Sequence, residues 1–372
     1  MTLVSVYYII SPSGENNIIG EIMKEFEVLY RIKEKLEQTL RDIPFIEIRQ
    51  STMEAPFANV RVDLLVEFKV KNRFLKLVVE VKSLGEPRLI RSAIQQIKEY
   101  MGLVDNAYAL VAAPYISEDT ARICKQNKVG YIDLAGNLFL NFDQVYIEKK
   151  GYPNPIIEKR QVRSIFCAKS SRILRVMFNN PGRSWQVQEL AREANVSLGL
   201  VSRVKERLLD LEYAREKDRS LILSRPRELL EQWVNNYSFR ANKIYDYFSF
   251  DEPRVLERKM SQYCKQRKIP YALTLFSGAA LVAPFARYTR GFAYVIKAIK
   301  EVADSLGLKG VSSGPNFSLL EPYDEGVFAG SREIDEMRVV GDIQLYLDLV
   351  GFKGRGEESA QFLFEQKIKP HW

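Results

Sequence analysis

The chain has 372 residues, 46% of them apolar, with 55 Lys and Arg against 47 Asp and Glu, a formal charge of +8 and a pI near 9.1. That is enough length and apolar content for two or three cores, and the basic balance suits a nucleic-acid partner without requiring one. His371 is the one histidine and Cys124, Cys167 and Cys264 are far apart, which excludes paired Cys/His metal spacing, makes Ser-His or Cys-His nucleophile chemistry a poor fit, and points to a reducing cytoplasm. Nothing resembles a transmembrane span, and Val4 to Ile10 reads as a strand rather than a signal peptide.

The spacing of Met23, Phe26, Leu29, Ile32 and Leu36 predicts an amphipathic helix over Glu21 to Leu40, with Glu25 and Glu27 on its solvated face. Val60 to Phe68 and Phe74 to Val81 are rich in β-branched and aromatic residues and flank the polar Lys71-Asn72-Arg73. If they fold as a hairpin about the Lys71/Asn72 midpoint, opposite residues have numbers summing to 143, and Asp63 lies across from Glu80. A loop of two or four residues keeps that register, whereas a three-residue loop shifts it. Two carboxylates about 5 Å apart repel by roughly 3 kcal/mol at an effective dielectric near 20, so a cation is expected between them. Strand alternation places Lys82 on the same face as Glu80. Asp63, Glu80 and Lys82 then supply what metal-assisted phosphodiester hydrolysis needs, carboxylates for a hard cation and an ammonium beside the attacking water. The plain alternative is a surface ion pair between Asp63 and Lys82.

Glu86-Pro87 opens a second helix, with Leu89, Ala93, Ile97 and Val104 at buried spacing. Gln96 and Tyr100 project from it one turn apart, suited to orienting a phosphate or a metal-bound water, although alone they describe an ordinary half-exposed helix face. Taken together, Asp63, Glu80, Lys82, Gln96 and Tyr100 resemble the PD-(D/E)XK nuclease superfamily, in the subset with a Gln-x-x-x-Tyr helix; Val62 stands where proline is common. The resemblance covers roughly the first 150 residues. It implies a restriction-endonuclease-like α/β core with a mixed sheet, Mg2+ or Mn2+ at Asp63 and Glu80, and nuclease chemistry.

Ala107 to Ala113 predicts a strand buried on both faces, and Ser117 caps a short helix with Glu118 and Asp119 in its first turn. Gly130 to Asn137 followed by Leu138 to Leu140 reads as strand, Gly-Asn turn, strand; Asp133 and Asn137 are accounted for by turn chemistry. After the turn-rich Gly151-Tyr-Pro-Asn-Pro155, six cations (Lys159, Arg160, Arg163, Lys169, Arg172, Arg175) meet one acid, and Arg172 and Arg175 are candidate phosphate contacts.

Val187, Leu190, Ala191, Val196, Val201, Val204 and Leu208 then fit a helix-turn-helix. Its second helix is capped by Ser197 and presents Ser202, Arg203 and Lys205 as DNA contacts. Leu211 to Leu223 reads as two short strands around a charged turn, so the segment resembles a winged helix, an architecture that also serves as a protein-interaction module.

Pro226 to Phe250 predicts an aromatic helical stretch, with Trp233, Tyr237, Tyr245, Tyr247 and Phe248 as packing residues. A helix ending near Arg267, a strand over Tyr271 to Phe276 and an apolar helix through Phe285 follow. Ser277-Gly278 faintly resembles the opening of nucleotidyltransferase folds, whose metal carboxylates are missing here. The Gly130 to Asn137 segment, the winged helix, Gln344 to Asp348 and Gly354 to Glu358 together resemble AbiEi-type antitoxin regulators. That resemblance implies operon repression, a cognate toxin and a DNA partner.

The expectation is three domains: 1–152 nuclease-like, 153–225 connector and winged helix, and 226–372 α+β. The functional expectation is a metal-dependent DNA nuclease delivered to duplex DNA by its winged helix. The rival is a sequence-specific repressor with a non-catalytic front domain, and homodimerisation is expected by analogy.

Overall fold

A computed structural model describes residues 25–57, 60–101, 106–142, 145–154, 165–352 and 355–372. The strand expected over Val4 to Ile10, the start of the first helix with Met23, Val104 and the cations Lys159, Arg160 and Arg163 lie outside these residues. The chain divides into two compact units, 1–158 and 159–372. Both are mixed α/β.

In the first unit, helix α1 (Glu25–Arg41) is followed by strands β1 (Ile46–Phe57), β2 (Val60–Val70) and β3 (Arg73–Val81), helix α2 (Pro87–Met101) and strand β4 (Ala107–Ala113). Helix α3 (Glu118–Gln126) and strands β5 (Gly130–Asp133), β6 (Leu138–Phe142) and β7 (Val145–Lys149) complete it. The seven strands form one sheet in sequence order. It is antiparallel from β1 to β3, parallel from β3 to β5 and antiparallel again to β7. Strand alternation divides the core in two. Leu64, Val66, Val79 and Val81 pack with Val28, Leu29, Ile32 and Leu36 of α1, while Val78 packs with Ile97 of α2 on the other face. Phe26, expected in the apolar stripe of α1, is instead 67% exposed; the stripe begins at Val28, because the drift of a 3.6-residue helix carries position 26 off the sheet. Ala93 and Ile97 are buried in α2 as expected, joined by Ile90 and Ile94.

In the second unit, α4 (Ala168–Asn179), α5 (Val187–Glu193) and α6 (Leu198–Asp210) precede a hairpin of β8 (Ala214–Lys217) and β9 (Ser220–Leu223). Trp185 exchanges backbone hydrogen bonds with Leu221 at 2.8 Å, tying the entry to α5 onto the hairpin. This is the element order expected of a winged helix.

The remainder is α7 (Pro226–Asn236), β10 (Lys243–Phe248), α8 (Pro253–Arg267), β11 (Tyr271–Leu273), α9 (Leu275–Val282), β12 (Gly291–Val295), α10 (Ile299–Ser305), β13 (Lys309–Gly310), β14 (Phe317–Glu321), β15 (Arg332–Ile334), β16 (Met337–Val339), α11 (Asp342–Val350) and α12 (Gly356–Leu363). Its sheet runs β13-β10-β14-β12-β11-β16-β15. Two local expectations are corrected. Lys243 to Phe248 is a strand rather than a continuation of α7, since β10 pairs along its length with β14, and Phe276 belongs to α9 rather than to the preceding strand.

The expected boundary at 225/226 runs through one core. Trp233 of α7 stacks on Phe166 and Phe178 at 6.1 and 6.0 Å, and the helix-turn-helix shares its buried cluster with the C-terminal sheet.

Candidate functional site

The hairpin register is the one that makes opposite numbers sum to 143, from Val70 against Arg73 to Leu64 against Val79. Lys71 takes a left-handed φ of 54° in the tight turn. Backbone pairing between β2 and β3 ends at Leu64–Val79, one step short of the two acids. Beyond it, Asp63 Oδ2 accepts the Val81 backbone N–H at 2.7 Å, so the carboxylate takes the place of a ladder acceptor where β2 parts from β3.

Glu80 lies between Val79 and Val81, which face α1, so it belongs to the α2 face; at Asp63 the alternation of β2 breaks, since Leu64 packs toward α1 whereas Val62 packs with Val78 and Ile97. Glu80 is only 3% exposed, and Lys82 Nζ donates to its Oε1 at 2.8 Å. A buried carboxylate needs such a partner, because desolvation of an unpaired charge costs several kcal/mol. The Lys82 backbone is held in turn, its N–H donating to Ala112 O at 2.8 Å, and three residues on Gly85 O accepts from Thr120 Oγ1 at 3.1 Å. At Gly85 the chain passes so close to the Tyr115 carbonyl oxygen that a Cβ would collide with it.

The structure thus brings Asp63, Glu80 and Lys82 to one end of the β2–β3 pair. Gln96 is on the exposed side of α2, and the side chain of Tyr100, one turn further along, lies outside the described residues. Asp63 and Glu80 offer carboxylate oxygens, the donor type a hard divalent cation takes, but among the described residues no three acidic, His or Cys side chains gather into one group.

Asp133 is fully buried and accepts from Ile116 N, Gly136 N, Asn137 N and Asn137 Nδ2 at 2.8 to 3.1 Å. Burial raises its pKa, against the pull of these hydrogen bonds. Its partners are the backbone of its own turn and of the segment entering α3, with the Asn137 side chain, so it organises loops, as the turn reading expects.

In the second unit Ser197 caps α6, its Oγ accepting from Leu200 N at 3.3 Å, and Ser202 and Arg203 are exposed. Three expected DNA contacts are corrected. Lys205 is partly buried and donates to Glu216 of the hairpin at 2.8 Å. Arg172 makes a two-pronged pair with Asp324 at 2.7 and 2.8 Å, which raises its pKa and turns it away from solvent. Arg175 is 2% exposed, bonded to Ser171, Gln344 and Tyr323 and stacked over Trp233 at 5.0 Å. Both arginines lie on the packed side of α4, so counting charge along the sequence could not assign them outward.

The cations left in solvent near α6 are Arg215, Lys217 and Arg219 of the hairpin, whose tip residues Asp218 and Arg219 both have φ above zero. The charged turn was the sequence signal for them.

Arg175 belongs to a buried polar cluster. Gln344 joins it to Asp348, which also accepts from Tyr237, Tyr294 and Thr274. Burial pushes the Asp348 carboxyl up to about 6, opposed by those hydrogen bonds, and pushes both tyrosines well above their usual range. Ser277 is likewise buried, its Oγ accepting from Phe292 N at 2.8 Å.

The second unit is therefore an α/β body fused through a shared core to a helix-turn-helix with a hairpin. Residues 222–369, nearly all of that body, match the family model described as transcriptional regulator, AbiEi antitoxin, Type IV TA system. No curated protein matches the chain. Among solved structures, a repair endonuclease from Pyrococcus abyssi is similar over 31% of this chain and 49% of its own, with 15% identity and a TM-score of 0.21. The match thus spans about half the length of that structure, a likeness too slight to carry a fold or an activity across. No helix among the described residues is long and apolar enough to cross a membrane.

Proposed function

We propose that this protein is a DNA-binding regulator of a toxin–antitoxin operon, holding duplex DNA through α6 and the β8–β9 hairpin. The observation that carries the reading is the match to AbiEi regulators over residues 222–369, in a body that shares one core with a helix-turn-helix exposing Ser202 and Arg203. Arg203 and the hairpin cations supply phosphate attraction, and the side chains of α6 supply base contacts. A cognate toxin is the expected second partner, and a homodimer on a two-fold repeat fits the usual symmetry of such regulators. The test is a mobility-shift titration of the DNA upstream of the protein's own gene. Retention that survives excess non-specific competitor and is lost in Arg203→Ala supports the reading, and equal retention of unrelated duplex contradicts it.

A second reading, metal-dependent DNA cleavage by the first unit, is favoured by the placement of Asp63, Glu80 and Lys82 at one strand end. Asp63 and Glu80 would hold Mg2+ or Mn2+, which when bound polarises the phosphoryl group and acidifies a water. Lys82 would stabilise charge on the phosphate, with Gln96 and Tyr100 orienting it. Supercoiled plasmid incubated with either metal is cut under this reading, and Asp63→Asn abolishes cutting while DNA retention persists. Intact plasmid across metals and strandedness would leave the regulator alone standing.

A further inference from the structure

We infer that α6 reads a thymine methyl group through Leu198, with Gly199 letting the helix backbone close onto the duplex; this rests on the DNA-binding reading above and adds what α6 recognises. The solvent stripe of α6 consists of Leu198, Gly199, Ser202, Arg203 and Glu206. The opposite side buries Val201, Val204 and Leu208 in the shared core, yet Leu198 is 51% exposed. It does not serve the helix as a cap, since Ser197 already fills that place.

Gly199 is equally unforced by the protein. A Cβ there meets nothing within 4 Å, so packing does not demand glycine. Alanine would form the helix better. Glycine at such a position provides the close approach of backbone to a ligand that a side chain would hold off.

An apolar knob beside a side-chain-free step, followed one turn later by a hydroxyl and a guanidinium, matches the major-groove edge of a base pair. The thymine C5 methyl is the apolar group displayed there, and arginine pairs with guanine or phosphate. A protein partner would also accept an exposed leucine. DNA is favoured because cations outnumber acids among the exposed charges of α6 and the hairpin that follows it, with Arg203, Arg215, Lys217 and Arg219 against Glu206, Glu216 and Asp218.

The experiment selects duplexes from a randomised pool on the full-length protein, then replaces each thymine of the selected sequence with deoxyuridine, which removes only the methyl. At one thymine per half-site the replacement should weaken binding about four-fold, the value of one buried carbon. That penalty should vanish in Leu198→Ala. Gly199→Ala should weaken binding to the selected duplex several-fold while its melting temperature holds or rises, a combination a purely structural glycine would not give. Uridine tolerated everywhere, a penalty that persists in Leu198→Ala, or Gly199→Ala binding as wild type overturns the inference and leaves DNA binding intact. A pool with no enriched duplex, or a Leu198→Ala protein whose changed property is self-association instead of DNA affinity, overturns it by pointing away from DNA or to a protein contact.

Discussion

At the residue scale, Glu80 and Arg175 make the same point from opposite charges. Each is almost fully buried and each is held by polar partners, Glu80 by Lys82 and Arg175 by Gln344, Tyr323 and Ser171. Removing a partner leaves a charge in a low-dielectric interior, which costs more than the pair ever contributed. Lys82→Ala is therefore expected to destabilise the first unit by on the order of 3 kcal/mol in urea unfolding, whatever its effect on catalysis. A loss under about 0.5 kcal/mol, typical of surface substitutions, would mean that Lys82 is not what compensates the burial of Glu80. The Glu80–Lys82 half of the site was legible because strand alternation is strict. Arg175 was misread because total charge was counted without helical phase, although Ser171, Leu174 and Phe178 already mark its side of α4 as the packed one.

At the element scale, the β2–β3 hairpin was legible down to its register, because the centre of a tight turn fixes every pair after it. What alternation could not supply was the parting of the strands at Asp63, which turns a cross-strand neighbour into an acceptor for the Val81 N–H. The stretch after α7 was less legible: its aromatic residues suit strand and helix alike, and pairing of β10 with β14 decided it. The helix-turn-helix emerged as expected, with one cross-element contact that sequence could not show. Lys205 of α6 is tethered to Glu216 of the hairpin. Glu216→Ala should release that ammonium and remove a nearby acid, raising affinity for duplex DNA and steepening its salt dependence by up to about one ion. Unchanged affinity and slope would place Lys205 outside the contact surface.

At the scale of the whole molecule, composition breaks suggested three domains, whereas packing makes two units. The boundary is expected at 225/226, but Leu229, Leu230 and Trp233 follow it directly into the common core. A fragment of residues 159–225 should accordingly show no cooperative thermal transition, and a sharp one would restore the separate domain. The buried cluster around Asp348 adds a pH signature. Its folded pKa, about 6 against 3.8 in the unfolded chain, means that the native state binds the proton more tightly. This contribution is fully present below about pH 4 and is lost as pH rises through about 6. Subtracting the Asp348→Asn stability curve from that of wild type isolates it, and a difference that grows with pH across this interval would have the wrong sign.

The central claim is that α6 and its hairpin hold DNA, and the salt dependence of binding tests it most directly. With the upstream duplex titrated at several salt concentrations, the logarithm of affinity should fall linearly with the logarithm of salt, and Arg203→Ala should make that slope shallower by about one. Affinity insensitive to salt, or a slope that Arg203→Ala leaves unchanged, would contradict the claim.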